Sequence, residues 1–173
     1  RPGGLLMYGI PNMKLDKSVV ERRVRRMEAE GVRFLCGVNV GADVSGAALL
    51  EEYDAVILAC GARRARALGA ENEDIPGVYP ALAYLTESTR AVLDGRESVI
   101  SAKGLDVIVI GNGDTATDCI ATAVRQGAAS VTQIEIMPKP PDERDASTPW
   151  PLWPYMLRTS SSHKEGCVRR WNL

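Results

Sequence analysis

At 173 residues, with 45% hydrophobic and 25% charged side chains, the chain is long enough for one fair-sized core or for parts of two domains. A net charge of −1 gives no electrostatic ground for a nucleic-acid partner or an anionic membrane surface. Its apolar runs fall far short of a membrane span and its start, Arg1 to Gly4, lacks the build of a signal peptide, so a soluble, cytoplasmic protein is expected.

A glycine-rich opening leads into a charged helix from about Asp16 to Glu30, with Val20, Val24 and Met27 as its buried stripe. Arg22, Arg23, Arg25 and Arg26 are interleaved with Glu21, Glu28 and Glu30, the pattern of a solvated face and not of a nucleic-acid patch. Two apolar strands are predicted next, Val32 to Cys36 and Ala55 to Cys60, the second ending in Gly61. Residues 63–104 form a connection, with a loop from Glu71 to Tyr79 and a helix from roughly Ala81 to Leu93.

The most informative stretch follows. Val107 to Ile110 is a short β-branched apolar run, the pattern of a parallel strand buried on both faces. Gly111, Gly113 and Ala116 come next in G-x-G-x-x-A spacing, and a helix starts at Asp114, carries Ala116, Ile120, Ala123 and Val124 on one face and stops at Gly127. Each small residue has its own reason: Gly111 permits the tight turn, Gly113 lets backbone approach a pyrophosphate, and Ala116 lets the helix pack near the strand. The helix's unpaired N-terminal N–H groups then face the phosphates. A second strand, Ser130 to Ile136, brings Glu135 24 residues beyond Gly111, close to the roughly 20-residue spacing at which a carboxylate grips a ribose diol. Gly111, Asn112, Gly113, Asp114, Thr115, Ala116 and Glu135 are therefore the candidate dinucleotide-binding residues.

Beyond this unit, the prolines among Met137 to Pro141 and Pro149 to Pro154 exclude helix, and an ordered loop is expected in which Trp150 and Trp153 pack on their own domain. No two of Cys36, Cys60, Cys119 and Cys167 have a metal or redox spacing, so no metal site is expected; Cys36, Cys60 and Cys119 read as buried, reduced thiols. His163 stands beside Ser160, Ser161 and Ser162, but neighbours in sequence rarely converge as a catalytic triad. No side chain is assigned a catalytic role.

Gly3 to Pro11 with Lys14, the strand Ala55 to Ala62, the loop Gly77 to Tyr79, the turn Gly111 to Cys119, and the tail Glu135 to Arg144, Pro149 to Pro154 and Arg158 to His163 together resemble the small (beta) subunit of glutamate synthase. The resemblance covers essentially the whole chain. The turn alone is shared with the electron-input part of dihydropyrimidine dehydrogenase, whereas the proline–tryptophan tail is more specific to glutamate synthase.

The resemblance implies an α/β flavoprotein reductase, in which a Rossmann-like, parallel-sheet NAD(P)H-binding domain is inserted in an FAD-binding domain. Hydride passes from NAD(P)H to FAD, and electrons pass through iron–sulfur clusters to a large subunit or domain where glutamine and 2-oxoglutarate yield glutamate. On that pattern residues 1–62 correspond to part of the FAD-binding domain, 63–104 to the connection and 105–173 to the NAD(P)H unit with its extension. Gly3, Gly4 and Leu5 correspond to a segment near the flavin ribose, Lys14 to a basic FAD contact, Val40 to the adenine packing position and Gly61 to the domain crossover. The chain matches a central part of that pattern, without the first FAD-binding turn or the cluster cysteines, and is expected to be inactive and to bind FAD poorly by itself. NADH and NADPH stay balanced, because Glu135 disfavours a 2′-phosphate that Lys139 or Arg144 can reach. The alternatives are a dihydropyrimidine dehydrogenase-like reductase part and a non-catalytic dinucleotide-binding module.

Overall fold

In the computed structural model, which describes residues 1–62 and 64–173, the run after Asp106 forms strand β1 (Asp106–Ile110). Helix α5 (Asp114–Gln126) then returns the chain to β2 (Ser130–Glu135). Beyond the proline-rich stretch, helix α6 (Ser161–Gly166) leads to a third strand, β3 (Val168–Trp171). The strands form one parallel sheet in the order β1-β2-β3. Register sets Val109 opposite Gln133 and Ile110 opposite Ile134. The α/β class with a parallel sheet is the one expected; Arg63, at the start of the predicted connection, lies outside the described residues.

Among the described residues, four helices precede the sheet. Helix α1 (Gly4–Tyr8) packs on α2 (Lys17–Ala29) and on α4 (Ala81–Asp94), while α3 (Gly46–Glu52) has no buried residue. The predicted limits of α2 hold because Asp16 caps it, its carboxylate accepting from Ser18 N–H at 2.8 Å; the Ser18 hydroxyl first, and then this N–H, hold the Asp16 carboxyl below its ordinary range. Lys17 is buried and donates to the carbonyls of Leu6 (3.1 Å) and Ile10 (2.6 Å), which fastens the start of α2 to the segment ending α1. Of the predicted stripe, Val20 is buried and Val24 partly so, but Met27 is exposed because α2 meets α1 near its start only.

The core lies between α4, α5 and one face of the sheet: Leu85, Ala102, Val109, Ala116, Cys119, Ile120, Ala123 and Val131. Gln126 stitches its rim, accepting from Tyr84 Oη and Ala102 N–H, each at 2.8 Å, and donating to Ser88 Oγ at 3.3 Å. Helix α5 ends where predicted, at Gly127, whose φ of 87° suits glycine.

Four expectations fail for one shared reason, that burial needs a neighbour. Ile108 is 63% and Ile110 55% exposed, because helices cover only the Val109 face of β1. Residues 32–36 and 55–60 form no strand, and no residue from Gly31 to Ala62 is buried. Their backbone lacks the ladder partner that would satisfy its N–H and C=O groups. Cys36 and Cys60, predicted buried, are accordingly exposed, whereas Cys119 is enclosed and its thiol is pushed up to about 12 by burial and by the charge of Asp118. Trp150 (82%) and Trp153 (77%) face solvent instead of the domain; Trp153 takes Arg158 over its ring at 4.0 Å.

Ile120 is fully enclosed between α4 and the sheet. Ile120→Ala is expected to cost about 2–5 kcal/mol in chemical denaturation, whereas Ile57→Ala, at a solvent-facing position, should change stability by less than about 0.5 kcal/mol.

Candidate functional site

The carboxyl ends of β1 and β2 and the amino end of α5 meet at one turn, Gly111 to Gly113. Gly111 has φ of 116°, in the left-handed region that β-branched or bulky residues avoid. Its N–H donates to the Ile134 carbonyl at 2.9 Å, so the turn continues the β1–β2 ladder. Gly113 differs, with φ −84° and ψ 175°, an extended geometry open to any residue. No protein atom lies within 4 Å of where a Cβ would stand on it. Neither backbone strain nor packing within the chain calls for glycine there.

Helix α5 begins without a side-chain cap. Its first internal bond runs from Thr117 N–H to the Gly113 carbonyl at 3.1 Å, and among the described residues none accepts from the N–H groups of Asp114, Thr115 or Ala116. Such donors, with the positive end of the helix dipole behind them, suit an anion. The Asp114 carboxylate at the same end opposes part of that attraction.

The turn is held from behind by a side chain the sequence did not single out. Gln133, 2% exposed on β2, donates through Nε2 to the Gly111 carbonyl at 2.8 Å. Its Oε1 lies 3.1 Å from His163 Nε2 on α6. Because His163 Nδ1 accepts from Ser160 N–H at 3.0 Å, the ring proton sits on Nε2 and is donated to Gln133. The Ser160 hydroxyl accepts from His163 N–H at 3.4 Å and lies 3.1 Å from Nδ1, so serine and histidine form a reciprocal cap of α6. Burial, Arg169 and Lys14 all push the imidazole pKa below its ordinary value.

Arg169 on β3 is the second residue the sequence reading missed. Its Nη2 donates to Asn112 Oδ1 in the turn at 3.3 Å and its Nη1 to the Arg158 carbonyl at 3.1 Å, while its buried Nε has no partner among the described residues. Gln133 left one signal, a polar residue at an inward position between Val131 and Glu135; Arg169 left none, because its approach depends on how β3 pairs.

Of the remaining candidates, Glu135 sits half-buried at the end of β2, its Oε1 accepting from Met137 N–H at 3.0 Å. Lys139 is paired with Asp142 at 2.9 Å, and Arg144 donates to the Leu152 carbonyl at 3.1 Å. The residues matched to flavin contacts do not converge. A Cβ on Gly3 would stand 3.0 Å from Val20 Cγ1 and 3.1 Å from Met7 Cβ, and φ there is 117°, so Gly3 is needed for packing. Gly4 opens α1, and Leu5 is 59% exposed. Lys14 donates to Ser161 Oγ at 3.1 Å, facing α6. Val40 bridges only to Val44, and Gly61 is exposed, both within the stretch that buries nothing.

Replacing Gln133 by Leu leaves two partly buried polar groups, the Gly111 carbonyl and His163 Nε2–H, without the partner they have now. A loss of about 1–3 kcal/mol is expected in urea denaturation, and an unchanged midpoint would show that neither bond contributes.

The family model described as pyridine nucleotide-disulphide oxidoreductase matches residues 5–148. The glutamate synthase [NADPH] small chain of Mycobacterium tuberculosis is 47% identical over 179 aligned residues, covering all of this chain and 37% of the relative. Glutamate synthase [NADH] of Schizosaccharomyces pombe is 50% identical over 170 residues, covering 95% of this chain and 8% of the relative. The chain therefore spans well under half the length of either. Among solved structures, FprA from M. tuberculosis in complex with NADPH aligns with a TM-score of 0.62 at 26% identity, over 79% of this chain and 34% of that one. No helix among the described residues is long and apolar enough to cross a membrane.

Proposed function

Because the chain belongs to the pyridine nucleotide-disulphide oxidoreductase family, we propose that the Gly111–Ala116 turn and the start of α5 hold the pyrophosphate of NADPH or NADH in a flavoprotein reductase of the glutamate synthase small-subunit type. The observation that carries this reading is Gly113, a glycine in ordinary extended geometry whose missing Cβ leaves space that nothing in the chain uses. A pyrophosphate seated there would receive the N–H groups of Asp114, Thr115 and Ala116, and Arg169 beside Asn112 would add positive charge. Gly111 and Asn112 shape the turn; Glu135, at the end of the neighbouring strand, is within the part of the fold that meets a ribose.

Bound NAD(P)H supplies a hydride, and a flavin is the acceptor that the family and the glutamate synthase relatives suggest. The residues matched to FAD do not enclose one in this structure, so the role assigned to Gly3, Gly4, Leu5, Lys14, Val40 and Gly61 is peripheral, and no step is derived through the flavin. In the longer protein, residues 1–62 would join the FAD-binding domain, 63–104 the connection and 105–173 the NAD(P)H unit. A large subunit or domain and reductive glutamate synthesis are suggested by the names of the relatives, and iron–sulfur clusters by the sequence resemblance alone.

Gly113→Val tests the site cleanly, since the folded chain has room for the side chain and a dinucleotide does not. Dinucleotide affinity measured by fluorescence titration should fall at least about tenfold while the denaturation midpoint stays near the native one. Retained affinity in a folded variant overturns the site. Cofactor choice is read separately: with Glu135 on the ribose diol, Glu135→Ala should weaken NADH more than NADPH, and the reverse order assigns the reading to Lys139, Arg144 or Arg169.

A further inference from the structure

Resting on the dinucleotide reading above, we propose that the stacked pair Arg158 and Trp153 is the adenine subsite of that site, the base lying against the face of the Arg158 guanidinium that Trp153 leaves open. The loop that carries the pair is firmly built, yet it buries neither of its indoles. Asp145 N–H donates to the Tyr155 carbonyl at 3.0 Å, Tyr155 N–H to Thr148 Oγ1 at 2.9 Å and Leu152 N–H to the Pro149 carbonyl at 2.9 Å, while Arg144 holds the Leu152 carbonyl at 3.1 Å. Trp153 is thus pinned from both sides and remains 77% exposed. An ordered aromatic surface left in water adds little to the fold. It is a rigid contact surface whose ordering cost is met before a ligand arrives.

Position ties this surface to the pyrophosphate turn. A single guanidinium, that of Arg169, donates through Nη1 to the Arg158 carbonyl at 3.1 Å and through Nη2 to Asn112 Oδ1 at 3.3 Å. The loop leaves the end of β2 and returns toward it, since Leu157 N–H donates to the Pro141 carbonyl at 2.7 Å. The chain after β3 closes the same corner, with Leu173 N–H on the Glu135 carbonyl at 3.3 Å. The Arg158 backbone therefore stands one guanidinium away from the turn and near the strand end that carries Glu135. A dinucleotide with its pyrophosphate on the turn and its ribose at Glu135 carries its base outward, past that strand end and into this loop.

The pair is shaped for a flat ligand. The Arg158 guanidinium lies over the Trp153 ring, 4.0 Å from its centroid, and the arginine is otherwise exposed. An arginine stacked in this way offers its second face to another π system, and nucleobases stack on such planes. Of the other cations in residues 137–160, Lys139 is engaged by Asp142 at 2.9 Å and Arg144 by the Leu152 carbonyl. The Arg158 side chain has no hydrogen-bond or ion-pair partner among the described residues, so Trp153 alone orients it. Stacking of this kind grips the base and is indifferent to the 2′-phosphate, so NADH and NADPH are served alike.

Arg158→Lys keeps the charge and the main-chain carbonyl that Arg169 holds, and removes the flat stacking surface. The 15N-labelled native protein and R158K would be titrated with ADP and, as a ligand without a base, with inorganic pyrophosphate, following the amide signals of Gly111 to Ala116. ADP affinity should fall about tenfold in R158K, the scale of one lost base stack, and pyrophosphate affinity should stay within about twofold. Unchanged ADP affinity overturns the subsite, as does a parallel loss for both ligands, which would make Arg158 a structural residue of the turn. If ADP leaves the Gly111 to Ala116 signals of the native protein unmoved, the dinucleotide reading itself fails and the subsite with it.

The native protein decides the matter if R158K does not fold. Adenine H2 and H8 of bound ADP should show nuclear Overhauser contacts with the δ-methylene protons of Arg158. Contacts confined to other residues, or none, overturn the proposal.

Discussion

The bond from the buried Gln133 amide to the Gly111 carbonyl constrains much of what surrounds it. A primary amide enclosed in a core is costly unless both its ends are satisfied, and here one end meets the turn and the other the His163 ring. Slipping β2 by one residue against β1 would turn Gln133 to the opposite face and expose Val131 in the same step. Register, turn geometry and the seating of α6 are therefore one decision. The ladder bond from Gly111 N–H to Ile134 supports the same choice from the backbone side.

The small residues of this region divide their work by physical need. Gly111 and Gly127 are required by backbone conformation, at the entrance and exit of α5. Ala116 and Ala123 keep the core-facing side of α5 low, so the helix approaches the sheet and Ile120 is its one large fully enclosed side chain. Gly113 answers to neither demand, and for that reason the proposed site centres on it. Gly3, which the family pattern assigns to a flavin contact, is already explained by Val20, Met7 and its positive φ.

How far the sequence could be read followed how local each determinant is. The limits of α2, α4 and α5 were legible because Asp16, Gly95 and Gly127 act within a few residues of the ends they set. The strand–turn–helix–strand order around Gly111 was legible for the same reason. Ala55 to Cys60 has strand composition, but a strand exists only with a partner, and composition is silent about whether one is at hand. The same gap hid the open face of β1, where Ile108 and Ile110 look as buried in sequence as Val109. Gln133, His163 and Arg169 meet at the site across separations of 22 to 57 residues. A periodicity argument, which covers a dozen residues, cannot bring them together.

The placement of the indoles gives the molecule an unequal optical signature. Trp150 and Trp153 stand in water, and Trp153 is further bound to stack with the Arg158 guanidinium. Trp171 alone is built into the sheet, directly across from Glu135, with the Arg169 guanidinium 5.1 Å from its ring. Most of the emission will therefore come from chromophores that are blind to folding and to the turn. The minority component from Trp171 sits where the second strand ends, and its quenching or blue shift is the part of the spectrum that reports on that corner of the protein.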